Sequence, residues 1–355
     1  MAMTTFPFLN VHPSISDRIL ERLDFGELFN LAQCSKRTFN MLKNSGYRTP
    51  TYLHANIYSS PCFYMHSPSH QNISWVFYHN RDPRKMDLEN PRTHRIPGCK
   101  PMDFCVKRLG PLSIVFDCVS EHSAQEILKF AEYLLALFHC SQIFLKIHYD
   151  LKNYLDGLLA IEDFRRCQKL EIFFKTVTHT ELRRILTGFT TEDLTLECDT
   201  HANFSFDGTL KYNAFAAYKA SWVNAQILRN LDCKTGSIHR STLTNEDINK
   251  YITTWLEGSN TKLEHITISP SKEVKIPLDL SKIMEGIPST PGVAKRQNAT
   301  TFRSFGGYVP YEIGMDLKRT SDGMRGTALI FHEPGLGDVF VFVVWHVPNP
   351  DLVVG

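Results

Sequence analysis

The stretch Phe6-Pro-Phe-Leu-Asn-Val-His-Pro-Ser-Ile-Ser-Asp-Arg-Ile-Leu-Glu-Arg-Leu-Asp-Phe-Gly-Glu-Leu-Phe-Asn-Leu-Ala-Gln-Cys-Ser-Lys-Arg-Thr-Phe-Asn-Met-Leu42 decides how this chain is divided. It reads as three short helices, each announcing its own start. Ser14 after Pro13, with Asp17 three places on, can satisfy the first orphan N–H groups of a helix whose apolar side chains Ile15, Ile19, Leu20 and Leu23 share a face. Asp24 and Glu27 repeat the device before Leu28, Leu31 and Ala32. Ser35 caps a third helix in which Phe39 and Leu42 face inward while Lys36, Arg37 and Asn40 face water. Isolated helices below roughly 12 to 15 residues are marginal in water, and segments below about 40 residues rarely build a sufficient core. Such a module needs a surface to pack on.

The order of these residues resembles an F-box. That motif opens with Leu-Pro, continues with Ile-Leu-x-x-Leu and Asp-Pro-x-x-Leu, and closes near a Cys followed by basic residues. Here Pro13, Ile19-Leu20-x-x-Leu23, Asp24-Phe25-x-x-Leu28 and Cys34-Ser-Lys-Arg37 occupy those places, with His12 where Leu is usual and Phe25 where Pro is usual. The Cys-Ser-Lys-Arg ending looks like the nematode branch of the family. The resemblance implies docking onto a Skp-type adaptor of a cullin-RING ubiquitin ligase through Pro13, Ile19, Leu20, Leu23, Phe25 and Leu28, some of which also pack the module's own core.

The rest of the chain has a different texture. From about 47 to 101, Pro50, Pro61, Pro68, Pro83, Pro91, Pro97 and Pro101 exclude long helices, and the segment reads as a connector with some strand content, Ile73 to Tyr78 being the clearest strand. Beyond it, apolar alternations recur between helical spacings: Leu112, Ile114 and Phe116; Ile143, Leu145 and Ile147; Leu170, Ile172 and Phe174; Leu194, Leu196 and Cys198. Ile127 to Phe138, Tyr154 to Phe164, Leu182 to Phe189 and Trp222 to Leu231 have helical periodicity, and Ile238 marks a short strand. Thr244-Asn-Glu-Asp247 caps an amphipathic helix with Ile248, Tyr251, Ile252 and Trp255 on one face, and Gly258 can close it. Leu263-x-x-Ile266-x-Ile268 then matches the apolar frame of a leucine-rich-repeat strand.

Strand starts about 20 to 40 residues apart suit stacked strand-plus-helix repeats, but no Asn ladder recurs, and a compact domain with a mixed sheet fits the same pattern. The segment 270–300, with Pro270, Pro277, Pro288 and Pro291, reads as a loop; the region after it reads as an antiparallel meander turning at Ser321-Asp-Gly323 and Gly335-Leu-Gly337. The expected fold is α/β, or α+β taken as a whole: a small N-terminal three-helix module at 6–46, a connector at 47–101 and an irregular leucine-rich-repeat-like domain at 102–347 ending in a short meander.

Ser241-x-Leu-Thr-Asn-Glu-Asp-Ile-Asn249, Trp255 and Gly258-Ser-Asn260, with the later Gly306-Gly, Lys318-Arg319 and Asp322-Gly323, resemble the nematode F-box-associated domain of type 2. Together the two resemblances imply a substrate receptor, in which one end docks the adaptor and the other captures a protein target whose identity the motifs leave unstated. No bond is made or broken by such a chain.

Composition agrees. At 355 residues, 43% hydrophobic and 12% aromatic, the chain can bury a sizeable core, and a formal charge of +2 gives no general bias toward nucleic acid or anionic membrane. No run approaches a membrane-spanning length and no secretory leader opens the sequence, so a cytoplasmic or nuclear location is expected. Nine cysteines show neither a Cys-x-x-Cys pair nor a zinc spacing and read as buried thiols. His66 and His70 lack a neighbouring carboxylate or Cys. The acidic pairs Glu162-Asp163, Glu192-Asp193 and Glu246-Asp247 fall at element ends, where they serve capping and solvation. Nucleotide, hydrolase and zinc-helix motifs are absent, so the sequence reading assigns no catalytic residue, no cofactor and no metal.

Overall fold

The computed structural model describes residues 12–45, 52–66, 72–78, 91–110, 113–118, 121–148, 151–200, 203–271, 274, 277–291, 303–304, 307–308, 314–333 and 335–346. N-terminal helices are followed by a large mixed sheet with interspersed helices, α/β as a whole. The chain divides into two compact units, Met1–Glu171 with Gly188–Thr191, and Ile172–Thr187 with Glu192–Gly355.

The first unit begins with α1 (Pro13–Leu20), α2 (Phe25–Gln33) and α3 (Lys36–Asn44). Strands β1 (Tyr52–Ile57), β2 (Cys62–His66), β3 (Asn72–Phe77), β4 (Arg92–His94), β5 (Met102–Gly110) and β6 (Ser113–Cys118) follow, then α4 (Ala124–Phe138), β7 (Gln142–His148), α5 (Leu151–Ala160) and α6 (Glu162–Arg165). Its strand order is β7-β1-β2-β3-β6-β5-β4. β1/β7 and β3/β6 are parallel, and the remaining neighbours are antiparallel.

The stretch read as a connector thus supplies four strands. Leu53, Ala55 and Ile57 of β1 alternate with half-exposed or exposed neighbours, and Ile73, Trp75 and Phe77 are buried in β3, where Ser74 is buried as well. The described prolines of this stretch, Pro61, Pro91, Pro97 and Pro101, sit outside these strands and leave the short runs beside them free to pair. α4 covers the buried face through Phe130, whose ring lies 5.1 Å from Phe77, 5.7 Å from Phe104, 5.9 Å from Phe63 and 6.0 Å from Trp75. A capping box between Ser123 and Glu126 starts α4, and the Glu126 carboxyl, held mainly by the Ser123 backbone N–H, is lowered to about 2.

The second unit contains β8 (Lys169–Val177), whose first three residues count with the first unit, α7 (His179–Gly188), β9 (Asp193–Thr200), β10 (Leu210–Ala217), α8 (Ala225–Arg229), β11 (Leu231–Ser241), α9 (Asn245–Leu256) and β12 (His265–Pro270). The 270–300 segment carries α10 (Leu280–Ile283) and β13 (Thr290–Pro291). A separate hairpin of β14 (Arg303–Ser304) and β15 (Gly307–Tyr308) precedes β16 (Met315–Lys318), β17 (Arg325–Glu333) and β18 (Gly337–Trp345).

β9, β10, β11 and β12 run parallel, and their spatial order is their chain order. The alternating burial of β9 is that of a strand covered on one side, whereas β12 is buried at successive positions on both faces. β18 then joins β12 antiparallel, followed by β17, β16 and β13. β10 escapes a reading by alternation because its buried positions change phase at Asn213, from Leu210 and Tyr212 to Phe215 and Ala217.

The acidic pairs lie where capping places them: Glu162 and Asp163 in the first turn of α6, Glu246 and Asp247 in the first turn of α9, and Glu192-Asp193 at the start of β9. No helix among the described residues is long and apolar enough to cross a membrane. His70 and the end of the 102–347 span lie outside the described residues.

Candidate functional site

The N-terminal helices build on their caps. α1 starts at Pro13, two residues earlier than a Ser14 cap predicts: His12 takes the cap position, proline fits the first helical position, and the N–H of Ser14 donates to the His12 Nδ1 at 3.3 Å. In α2 the expected box is complete, with Glu27 N–H donating to Asp24 Oδ1 at 2.7 Å and Asp24 N–H to Glu27 Oε2 at 2.9 Å. Ser35 caps α3, accepting from Thr38 N–H at 3.0 Å.

These helices pack unequally. Leu20, Phe25, Leu28, Phe29, Ala32 and Leu42 are buried. Phe29 sits in a nest of rings from the sheet and α4: His94 at 5.2 Å, Trp75 and Phe116 at 5.4 Å, Phe130 at 6.1 Å and Tyr133 at 6.2 Å. Phe25 meets Phe138 edge-on at 5.5 Å, Phe39 stacks on Tyr133 at 4.8 Å, and Gln33 Nε2 donates to the Tyr133 hydroxyl at 2.5 Å. Gly26 lets α2 approach this closely: a Cβ there would lie 3.3 Å from Ile114 and 3.2 Å from Asp24 Oδ1. At the helix start, Asp24 also pairs with Arg108 at 3.6 Å.

His94 is the unusual member of the nest. It is buried with neither ring nitrogen hydrogen-bonded, and burial, aided by the charge of Arg92, lowers it to about 4. It therefore stays neutral at neutral pH, an aromatic wall against Phe29.

Among the residues that the motif singles out, Leu20, Phe25 and Leu28 are thus occupied by their own chain, Ile19 and Leu23 are half-buried, and the side chain of Pro13 lies outside the described residues. Ile15, not singled out for docking, is 51% exposed and stands one turn before Ile19. One feature escaped the sequence reading: Phe29, one turn after Phe25, lies on the same face of α2 and is its buried anchor.

In the second unit, the distant motif residues converge on the end of α9. Thr244 and Asp247 form its capping box, Ile248, Tyr251, Ile252 and Trp255 are buried, and Gly258 takes φ +108°. Arg319, fully buried, donates to both Asp322 oxygens at 2.9 and 2.6 Å and to the carbonyls of Trp255 and Ser259 at 3.5 and 3.4 Å. Its guanidinium also lies 4.6 Å from the Trp255 ring centroid. A cation at a helix C-terminus meets the negative end of the dipole, and Arg319 holds the Asp322 carboxyl down at about 2. Trp255 packs edge-on against Phe342 at 4.9 Å. These residues join a helix to a hairpin. Among the described residues, no group of three or more His, Cys, Asp or Glu is placed to hold a metal ion.

Comparison with known proteins agrees with both pieces. The F-box domain model matches residues 8–48, and the model described as F-box associated matches residues 202–268, spanning β10 through most of β12. A Caenorhabditis elegans protein, the Skn-1 dependent zygotic transcript 15 protein, is 26% identical over 176 residues, covering 47% of this chain and 50% of that protein. The chain therefore spans about half the length of the curated relative it matches. No solved structure matches. The chain carries an F-box domain at its N-terminal end and an F-box-associated domain farther along, and a C. elegans protein is its distant homologue.

Proposed function

We propose that this protein is the substrate-recognition subunit of a cullin-RING ubiquitin ligase of the SCF type, docking a Skp-type adaptor through its F-box and a target protein through its large domain. The observation that carries this reading is the F-box match over residues 8–48 together with apolar side chains of α1 left partly in water. Adaptor contact then falls to Ile15, Ile19 and Leu23, continuing onto Pro13, while Leu20, Phe25 and Leu28 hold the helices in place. The work of the subunit is proximity: it raises the local concentration of target lysines near a ubiquitin-charged enzyme held elsewhere in the complex. It acts without a cofactor, inside the cell, in the cytoplasm or nucleus. We read the parallel run β9 to β12 with its interspersed helices as an irregular leucine-rich-repeat-like array.

Calorimetry of the full chain with a purified Skp-type adaptor tests the reading. Submicromolar binding that Ile15→Asp and Ile19→Asp each weaken, without a change in the melting curve, is expected. Leu20→Asp is the wrong probe, since a carboxylate at that buried position measures folding.

A second reading has its own observation. α2 is already seated on the chain's own sheet through Phe25, Leu28 and Phe29, as in a ligase-independent interaction scaffold. Absence of adaptor binding by folded protein selects that reading.

A further inference from the structure

We propose that the footprint of the adaptor continues from α1 onto the end of β5, where Val106 and Leu109 supply a second apolar contact outside the F-box. This rests on the reading of the chain as a ligase subunit and extends its docking surface to residues that the motif does not contain.

Exposed apolar side chains are few. Among the described residues, the large ones standing in water are Ile15, Tyr64, Val106 and Leu109, the last 70% exposed. Two of the four therefore lie on β5. β5 is also the strand whose end touches the F-box: Arg108 reaches Asp24, the cap of α2, at 3.6 Å.

Register decides the face. In the antiparallel pair β5/β6, Val106 lies opposite Phe116 and Arg108 opposite Ile114, and directly opposed residues point to the same side of a sheet. Phe116 and Ile114 are buried beneath the first turn of α2, where a Cβ on Gly26 would lie 3.3 Å from Ile114 and 3.8 Å from Phe116. Val106 and Arg108 thus stand on the α2 side of the sheet, one strand spacing, about 4.8 Å, beyond β6. The lysine that could guard this edge points the other way: Lys107 alternates to the opposite face and pairs there with Asp117 at 3.0 Å. β4 pairs with β5 only from Met102 to Phe104, so among the described residues no strand covers the outer edge from Cys105 on.

The occupant follows from what adjoins this edge. Leu23, half-buried, directly precedes Asp24, and Ile19 and Ile15 lie four and eight residues before it. Through the contact of Asp24 with Arg108, the apolar surface of α1 adjoins the end of β5. A standard interface buries about 800 Å² on each partner, a patch roughly 30 Å across, whereas Ile15 and Ile19 are only about 6 Å apart along their helix. A partner seated on α1 therefore covers more than α1, and Val106 and Leu109 are the exposed apolar side chains beside the F-box. A second copy of the chain fits poorly. Antiparallel pairing centred on 106–109 would set Lys107 opposite Arg108 of the copy, like charges that repel.

Calorimetry of the full chain with a purified Skp-type adaptor, at several temperatures, tests the footprint on wild type, Leu109→Ser, the double variant V106S/L109S and Tyr64→Ser. Tyr64 is the control: it is exposed too, but it alternates with Phe63, whose ring meets Phe130 of α4, and so faces away from the F-box. The double variant is expected to bind about tenfold or more weakly, with a less negative heat-capacity change because less apolar surface is buried; Tyr64→Ser should match wild type. Affinity and heat-capacity change unmoved in the double variant, or an equal loss in Tyr64→Ser, would overturn the proposal. So would a wild-type chain that dimerises in sedimentation and becomes monomeric in the double variant. Melting curves check folding, and Leu109→Ser, at the more exposed position, carries the test if the double variant melts early. Weakening by Ile15→Asp with the double variant at full affinity removes this proposal alone, whereas absence of binding by folded wild type removes the ligase reading and the footprint with it.

Discussion

Helices α1 and α2 lie in one motif and have similar lengths, yet the more apolar α2 and the more polar α1 are treated oppositely by the fold. α2 drives Phe25, Leu28 and Phe29 into the rings of its own unit, while α1 buries Leu20 and leaves Ile15 in water and Ile19 halfway, as is Leu23 in the turn that follows. The difference teaches that a docking motif can combine two tasks: one helix roots the module in the chain so that the other is presented, pre-ordered, to a partner. Pre-ordering matters because a free three-helix segment would have to meet its folding entropy from binding energy.

The largest effect that could break this comparison is at Phe29. Phe29→Ala should cost about 3 to 5 kcal/mol in urea unfolding, because it empties the centre of the ring nest; a loss below about 1 kcal/mol would mean that α2 is not the root. Next comes acid. With His94 lowered from 6.5 to about 4, the fold favours its neutral form. The stabilisation is full above 6.5 and is lost as pH falls from there through about 4. At most about 3 kcal/mol is at stake, and pH-dependent melting should show it. His94→Phe, which keeps a ring beside Phe29, should flatten that acid limb.

A smaller effect is expected at the helix start. Asp24→Ala removes the acceptor for Glu27 N–H and the partner of Arg108, a loss of about 1 kcal/mol by thermal melting. Smallest for stability is Ile15→Asp, within about 0.5 kcal/mol of wild type because the side chain is already half in water. The same substitution should cost adaptor affinity at least about tenfold, and that opposition between stability and affinity sharpens the comparison most.

How much could be read from the sequence follows the same line between local and distant information. The boxes Asp24/Glu27 and Thr244/Asp247 are local, and each helix begins where its box places it. α1 starts two residues earlier than its Ser14 cap predicts because His12 takes the cap and Pro13 the first helical position. β7, β8 and β9 show clean alternation and lie where it predicts. β1 and β2 were hidden by surrounding prolines, and β10 by the change of phase at Asn213. What the residues could not reveal is which apolar side of each N-terminal helix meets its own chain. That depends on partners such as Trp75, Phe116 and Tyr133, which lie 46, 87 and 104 residues beyond Phe29 in the sequence. Leu20 and Ile15 look alike in sequence; only the sheet tells them apart. Arg319 and Trp255, 64 residues apart, make the same point in the second unit.

The most direct test of the central claim, that α1 faces the partner while α2 is rooted in the chain, is amide hydrogen exchange of the full protein with and without a Skp-type adaptor. The account predicts that α2 amides exchange slowly in both conditions and that adaptor slows exchange chiefly in α1. Fast exchange of α2 in the free protein, slowed by adaptor as much as α1, would contradict it.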